Sequence, residues 1–372
     1  MDTVSSVEVK SYDPGLLRNA VDAHFSRLGL KEFISPDSKV LIKPNLLAAK
    51  KPDRCLTTHP AVIRAIAEAL RDLGVENITV ADSPGGPFVQ TALGPLYSAC
   101  GYKELEDVVR LNYETGFESV KCPVDGKVKS FDIIRPVIEA DLIIDVAKLK
   151  THTFTGMSGG IKNLFGCIPG LKKPEMHYRF PKLGEFSEML LDLSKTVAPA
   201  VSFIDAVEGM EGDGPNMGTP KACGFLLASK NVYALDFVAA GIMGIPYEIV
   251  PMISMAEERG YFSHDEVEII GDEPVCRNFV LPSTGDEELL NSAPSFMRGL
   301  LGAVSKNLLK PVPRIIRKTC LGCGKCAESC PQHIIEIKDR KARVKDRKKC
   351  ISCFCCQEMC PAHSIIVKRR LR

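Results

Sequence analysis

The sequence predicts an α/β fold, a mainly parallel sheet with covering helices, followed by a small C-terminal α+β domain. Three observations carry this reading. Over residues 1–290, short apolar runs of strand character alternate with stretches whose apolar residues recur at three and four. The first two such runs flank one helical stretch, the strand–helix–strand unit that builds parallel sheets. Cysteine then concentrates at the far end, where nine of the 15 fall between 320 and 360.

KVLIKP (39–44) and ENITVAD (76–82) predict buried strands. HPAVIRAIAEALRDLG between them predicts a helix with Thr58 as candidate cap and Gly74 as stop. DLIIDVAK (141–148), VSFIDAV (201–207) and CGFLLAS (223–229) predict further strands. PKLGEFSEMLLDLSKTV (181–197) and VYALDFVAAGIMG (232–244) predict helices. Residues 1–290 are thus expected to form the α/β domain, 291–313 a connector and 314–372 the small domain. The connector carries an apolar helical patch, FMRGLLGAVSKNLL, ahead of a stiff PVPR. Such a patch either packs between domains or rests on a membrane surface.

With 45% apolar and 25% charged residues, the composition is that of an ordinary globular chain. MDTVSSVEVK lacks the basic start and apolar core of a leader, and no apolar run reaches the ~20 residues of a membrane span. The expectation is a cytoplasmic protein with no transmembrane segment. The net charge of +2 hides an asymmetry: residues 310–372 hold 17 Lys and Arg against 5 Asp and Glu. A basic end can signal nucleic acid. Here the basic residues interleave with cysteine loops and stacking aromatics are scarce, so no nucleic acid is expected.

The cysteines explain that end. TCLGCGKCAESCP supplies Cys320, Cys323, Cys326 and Cys330; CISCFCCQEMCP supplies Cys350, Cys353, Cys356 and Cys360. Both read C-x2-C-x2-C-x3-C-P. Three thiolates from one tight loop grip one cube, and the fourth reaches the other. Cys320, Cys323, Cys326 and Cys360 are therefore expected to hold one 4Fe-4S cluster, and Cys350, Cys353, Cys356 and Cys330 the second. Two zinc knuckles are the alternative, disfavoured by two full copies each closed by proline. Roughly residues 314–368 resemble a bacterial two-cluster ferredoxin domain. The segment is an internal repeat, with CPQHIIEIKDRKARV matching CPAHSIIVKRR. Cys355 departs from the pattern, as an alternative ligand or a bystander. His333 and His363 read as surface or packing residues.

In open parallel sheets, ligands bind beyond the carboxyl ends of the strands. Polar clusters follow four predicted strands: Lys43 and Asn45; Asp82 with Ser83-Pro84-Gly85-Gly86; Lys148, Lys150 and His152; and Asp205, with Glu208, Glu211 and Asp213 beyond it. SGGIKNLFG then reads as a glycine loop opening a helix. Gly159 and Gly160 would let backbone amides approach an anion, with Lys162 and Asn163 in the first turn. The alternative is a tight turn beside solvated lysines. Neither the P-loop spacing G-x4-G-K-S/T nor a dinucleotide fingerprint is present. The cofactor-binding candidates are Lys43, Asn45, Lys148, Gly159, Gly160, Lys162 and Asn163, toward an anionic ligand or a metal that no motif identifies. The catalytic candidates are His152, Lys150 and Asp82, with His152 a general acid or a metal ligand. His59 reads as structural or functional, and Cys167 as core.

At these residues the chain resembles the family of domain of unknown function 362. IKPNLL, HPAVIRAIAEAL, VADSPGG, KLKTHTFTGMSGGIKNLFG, IDAVEGMEGDGP with the following GTP, and VYALDFVAAGIMG carry the likeness over most of 40–245. The resemblance implies an iron–sulfur protein of the kind typical of anaerobic bacteria and archaea, and no settled reaction. The residues support two functions. One is a redox enzyme in which two 4Fe-4S clusters relay electrons to an anionic substrate or cofactor in the crevice. The other is a non-catalytic electron-transfer or cofactor-assembly protein that docks a partner enzyme. Either implies a soluble electron donor or acceptor protein as partner. The polar residues collect at strand ends and not along one helix face, which favours the enzyme.

Overall fold

The computed structural model describes residues 1–282 and 311–368. The predicted apolar patch and most of the expected connector lie outside the described residues. In chain order the strands are β1 (Asp2–Glu8), β2 (Val40–Pro44), β3 (Ile78–Val80), β4 (Arg110–Leu111), β5 (Phe117–Lys121), β6 (Ser130–Ile134), β7 (Leu142–His152), β8 (Gly156–Ser158), β9 (Val201–Glu211), β10 (Thr219–Ser229), β11 (Val267–Gly271), β12 (Val312–Ile315), β13 (Ile335–Lys338), β14 (Lys341–Val344) and β15 (Ile365–Lys368). The helices are α1 (Pro14–Arg27), α2 (Pro60–Asp72), α3 (Gln90–Ala99), α4 (Arg135–Ile138), α5 (Gly160–Asn163), α6 (Lys172–Arg179), α7 (Leu183–Val197), α8 (Val232–Met243), α9 (Pro251–Glu258), α10 (Lys325–Glu328) and α11 (Cys355–Glu358).

The central sheet runs β11-β1-β10-β9-β7-β2-β3-β4, with β8 paired back onto β7. β9, β7, β2, β3 and β4 are parallel, and β10 lies antiparallel between β9 and β1. The fold is α/β on a mainly parallel, mixed sheet. Alternation along the strands explains its two covered faces. Leu41, Ile143, Ala147 and Ile204 face one apolar core with α7, α8 and α9. Val40, Ile42, Ile144, Val146 and Phe203 face the other with α1, α2 and α3. Val62, Ile63, Ile66 and Leu70 give α2 one fully buried stripe, each side chain worth about 1.5–3 kcal/mol. Its cap is His59 and not Thr58: the His59 Nδ1 accepts the Ala61 N–H at 3.2 Å. Thr58 instead receives the Asn45 N–H and donates to the Val146 carbonyl.

Two strands overrun their predicted ends. β7 continues through Lys148, Lys150 and His152 because β8 folds back to pair with it, Lys150 opposite Ser158 and His152 opposite Gly156. β9 continues to Glu211, paired with Thr219 of β10. The basic residues expected in a loop past the strand therefore stand on the strand, buried.

The chain order sets where the switch point of the sheet lies. From β2 the sheet grows through β3 and β4, then returns to β7 on the opposite side of β2 and grows through β9. The order reverses between β2 and β7, and the crevice beyond their carboxyl ends is the switch point where such sheets bind ligands.

The C-terminal unit pairs β12 with β15 and β13 with β14, beside α10 and α11. Val312 and Pro313, expected in the connector, belong to β12. The repeat is visible in the backbone. Gly322, Gly324 and His333 are left-handed in the first copy, as are Ser352, Phe354 and His363 in the second. The second copy holds two of those conformations without glycine, a strain tolerated where a tight loop demands it.

Candidate functional site

The C-terminal unit covers the switch point. Asn216 donates to the Glu358 carbonyl at 2.6 Å, and the Lys50 ammonium to the Pro361 carbonyl at 3.3 Å. Met359 packs on Gly85 so closely that a Cβ there would lie 2.4 Å from its sulfur. Phe354 reaches Phe154, with ring centroids 6.5 Å apart. Between the two units lies a cavity of about 90 Å³. Lys150, His152, Lys162 and Lys173 line it from one side, Cys355 and Glu358 from the other. At that volume it holds several water-sized groups.

Its charges are unevenly satisfied. The Lys150 Nζ donates to Asn45 Oδ1 at 2.8 Å and the Leu56 carbonyl at 2.7 Å. Burial, with Lys162 and Lys148 nearby, lowers its pKa to about 7. Lys173 donates to the Ser83 carbonyl and hydroxyl and to the Pro84 carbonyl, and burial lowers it to about 7 too. Lys162 lies over the Phe165 ring, 4.5 Å from its centroid; no hydrogen bond or ion pair holds its Nζ among the described residues. His152 is 2% exposed. Its Nδ1 accepts the amides of Phe154 and Thr155 at 3.1 and 3.3 Å. That places the ring proton on Nε2. Burial, then Lys162, His177 and Lys150, drive its pKa well below the ordinary value, so the ring is neutral. Glu358 enters from α11, with Oε1 buried and unpartnered. Burial raises its pKa against the pull of Lys162 and Lys150.

The other candidates lie deeper. Lys43 is fully buried and pairs with Asp82 at 2.9 Å, and Asp82 also accepts the Leu46 N–H at 2.7 Å. Asn163 joins two strands, donating to Asp145 at 2.8 Å and accepting from Asn45 at 3.0 Å. Asp82, Asn45 and Asn163 reach the cavity wall, and Lys43 buttresses it from below.

Two expectations need correction. Lys148 does not join the crevice: its Nζ donates to Tyr12 at 2.6 Å and to Asp205 at 3.0 Å. Tyr12 stacks on His59 at 3.7 Å, and the His59 N–H donates to Asp205. Lys148, Asp205 and His59 thus form an internal, mutually satisfied network. The register shift between β7 and β9 after Lys148 separates it from Lys150. Nor do Gly159 and Gly160 cradle an outside anion. Asp236 of α8 accepts the Gly160 and Ile161 amides at 2.6 and 3.0 Å. The glycines make room for it, since a Cβ on Gly159 would meet Asp236 Oδ1 at 2.2 Å.

The cysteines gather in two sets. Burial and the neighbouring Cys360, Cys320 and Cys323 push the Cys326 thiol up to about 11. Cys356 is pushed up by burial, by Cys353, Cys350 and Cys330, and then by Cys326 of the first set. Backbone amides already point at sulfur: Ala342 to Cys320, Ser352 to Cys350 and Ser364 to Cys360, at 3.2–3.4 Å. Among the described residues no three ligand side chains converge on one metal ion. Two sets of four thiols, each too open for a single ion, fit a multi-iron core, whose positive charge would stabilise the thiolates. Cys355 lines the cavity wall and also hydrogen-bonds, side chain to side chain, with Cys353 of the second set.

Glu358, Met359, Lys173 and Asp236 were not singled out by the sequence. Asp236 left a signal, an acid on the otherwise apolar VYALDFVAAGIM, because a buried carboxylate must find donors. Glu358 hides inside a cysteine motif, and its role depends on how the two units meet.

The comparisons follow this division. Residues 40–241 match the family described as domain of unknown function (DUF362), and 312–361 match the 4Fe-4S dicluster domain. A thylakoid-associated protein of Synechocystis is 32% identical over 268 residues, 69% of this chain and 79% of that relative. Among solved structures, the lactate racemase apoprotein of Thermoanaerobacterium thermosaccharolyticum matches with TM-score 0.42 and 15% identity, over 65% of this chain and 57% of that one. A Thermotoga maritima protein matches with TM-score 0.36 and 13% identity, over 72% of this chain and 62% of that one. The chain thus spans less than two thirds of either solved structure. No helix among the described residues is long and apolar enough to cross a membrane. The C-terminal unit is an iron–sulfur domain, and by the span of the first match and the identity to the Synechocystis relative, the chain belongs to the DUF362 family.

Proposed function

We propose that the chain is a redox enzyme acting on a small anion held between its two units. One observation carries this: the cavity at the switch point is lined jointly by the strand ends and by the α11 segment between Cys353 and Cys360. Cys320, Cys323, Cys326 and Cys360 would hold one 4Fe-4S cluster, and Cys350, Cys353, Cys356 and Cys330 the other. Bound there, the clusters supply electrons singly. Lys162, whose ammonium lies over the Phe165 and Phe186 rings with Glu358 as its neighbouring acid, attracts the anion, and Lys150 and Lys173 raise the local potential. His152 presents its Nε2–H as donor and proton source, held in that tautomer by two backbone amides. Asp82 acts through Lys43 and the Leu46 amide, as a positioning residue. Met359 and Phe354 help exclude water.

The alternative, a docking or cofactor-assembly protein, draws on Glu358, whose carboxylate already stands among the lysines. Native mass spectrometry of anaerobically purified protein, with iron and sulfide analysis, separates the two. Wild type and Lys162→Ala/His152→Ala are both expected to carry about eight irons per chain. Only wild type should retain added oxalate or sulfate. Full iron with no anion held by either protein favours the docking reading.

A further inference from the structure

The two cysteine sets differ in how far they reach the outer surface. The set of Cys350, Cys353, Cys356 and Cys330 lies on the crevice side, where its neighbours Phe354, Glu358 and Ser329 meet the α/β unit. The set of Cys320, Cys323, Cys326 and Cys360 reaches the outer surface through its first loop, where Cys323 is exposed, while Cys360 lies between Met359 and Pro361 on the side of the α/β unit. In that first loop Leu321 is 70% exposed, the most exposed large apolar side chain among the described residues after Met1.

The rim is basic. Arg317, Lys318, Lys325, Lys338 and Arg340 are all exposed. The turn bearing Arg340 packs on the first cysteine loop: a Cβ on Gly322 would lie 2.2 Å from the Arg340 carbonyl. Lys341 ties the same places together, donating to the Cys320 carbonyl at 2.7 Å. Of the acids nearby, Asp339 is paired with Arg343. Thiolate-ligated clusters offset only part of the excess of 17 basic over 5 acidic residues in this end of the chain.

We propose that the surface centred on Leu321 and Cys323 docks a small acidic redox protein, an iron–sulfur or flavin protein that donates one electron. An apolar centre in a charged rim is the anatomy of a protein interface, and opposite charge speeds and orients a brief encounter. The donor loses one electron and this chain gains it; no bond forms or breaks. Nucleic acid fits less well, because residues 311–350 contain no Phe, Tyr or Trp on which a base could stack. The proposal rests on the redox reading above and adds the partner's charge and its landing site.

The test is binding by the iron-loaded full chain. The probe is an oxidised, acidic plant-type ferredoxin, titrated by calorimetry at low and at moderate salt. Wild type should bind it at low salt and lose about tenfold or more at moderate salt. The variant R317E/K318E/R340E, confirmed to keep its iron, should lose about tenfold or more at low salt. A charge-matched control on the α/β unit, K10E/K31E/K182E, should stay within about twofold. No binding at low salt, or equal loss in the two triple variants, overturns the docking site. So does polyuridylate, an anionic phosphatidylglycerol vesicle or a second copy of this chain binding the same face more tightly than the ferredoxin. Oxalate retention measured on the same samples reports on the crevice separately, so either reading can fail alone. A chain that assembles no clusters overturns both.

Discussion

The Nε2 of His152 and the Oε1 of Glu358 face each other at 3.6 Å, one on the end of β7, the other on α11. The gap is too wide for a direct hydrogen bond. A substrate oxygen or a water to one side of the pair would bond to both groups. The contact joins the crevice to the cysteine motif, and it places a neutral donor against an acid.

Removing the charge of Glu358 should strengthen anion binding. Its carboxylate repels any anion drawn by Lys150 and Lys162, and a unit charge a few ångströms away in a partly buried site is worth on the order of 1–2 kcal/mol after screening. Glu358→Gln is expected to tighten sulfate binding about tenfold, by calorimetry. Lys162→Ala should weaken it by about tenfold to a hundredfold. Unchanged affinity in both would remove the crevice as the binding site.

Anion binding should follow the lysines in pH. Lys150 and Lys173 each titrate near 7 in the folded chain. Sulfate keeps its charge across this range, so its affinity should be flat below pH 7. Above pH 7 it should fall about tenfold per unit for each lysine that must be protonated. Stability runs the other way. Both pKa values lie below that of an unfolded lysine, so between about 7 and 10.4 the unfolded chain binds more protons. The penalty for these buried ammoniums is full below pH 7 and is relieved as pH rises. Paired urea unfolding and sulfate titrations from pH 6 to 9 check both signs.

Asp236 should matter for folding and not for ligand affinity. Asp236→Ala strands the Gly160 and Ile161 amides, and two buried unpaired donors cost about 3 kcal/mol together. The apparent Tm should fall by about 6–12 °C. Asp236→Asn keeps one acceptor oxygen and should cost less. Sulfate affinity should stay close to that of wild type, measured well below the lowered Tm; a large loss would return the helix start to the binding site.

Cys355 should be dispensable for iron. Cys355→Ala is expected to keep about eight irons per chain, whereas Cys356→Ala should lose about half. Loss of iron from Cys355→Ala would make it a ligand.

The architecture was legible because strand β2, helix α2 and strand β3 follow simple periodicity, and both cysteine runs keep a fixed spacing. The crevice was half legible. Lys150, His152 and Lys162 line one cavity, but Lys150 and His152 stand on β7 itself and not in a loop past it. Lys148 shares that stretch yet turns to Asp205, because the register shift after it is a property of the β7–β9 pairing and not of the local sequence. The glycine pair at 159–160 gave a true signal, a backbone approached closely by a carboxylate, but the carboxylate is Asp236, more than 70 residues away. Glu358 belongs to the contact between two units, which no pattern within either one records.

The most direct test of a crevice shared by both units is electron paramagnetic resonance of the dithionite-reduced protein, titrated with oxalate or sulfate. An anion seated beside Lys162 lies against α11, so it should perturb the signal of the Cys350, Cys353, Cys356 and Cys330 set. It should perturb the Cys320 set less, and both perturbations should vanish in Lys162→Ala. Anion binding by calorimetry with no spectral change would contradict the account, because the bound anion would then lie away from the iron–sulfur domain.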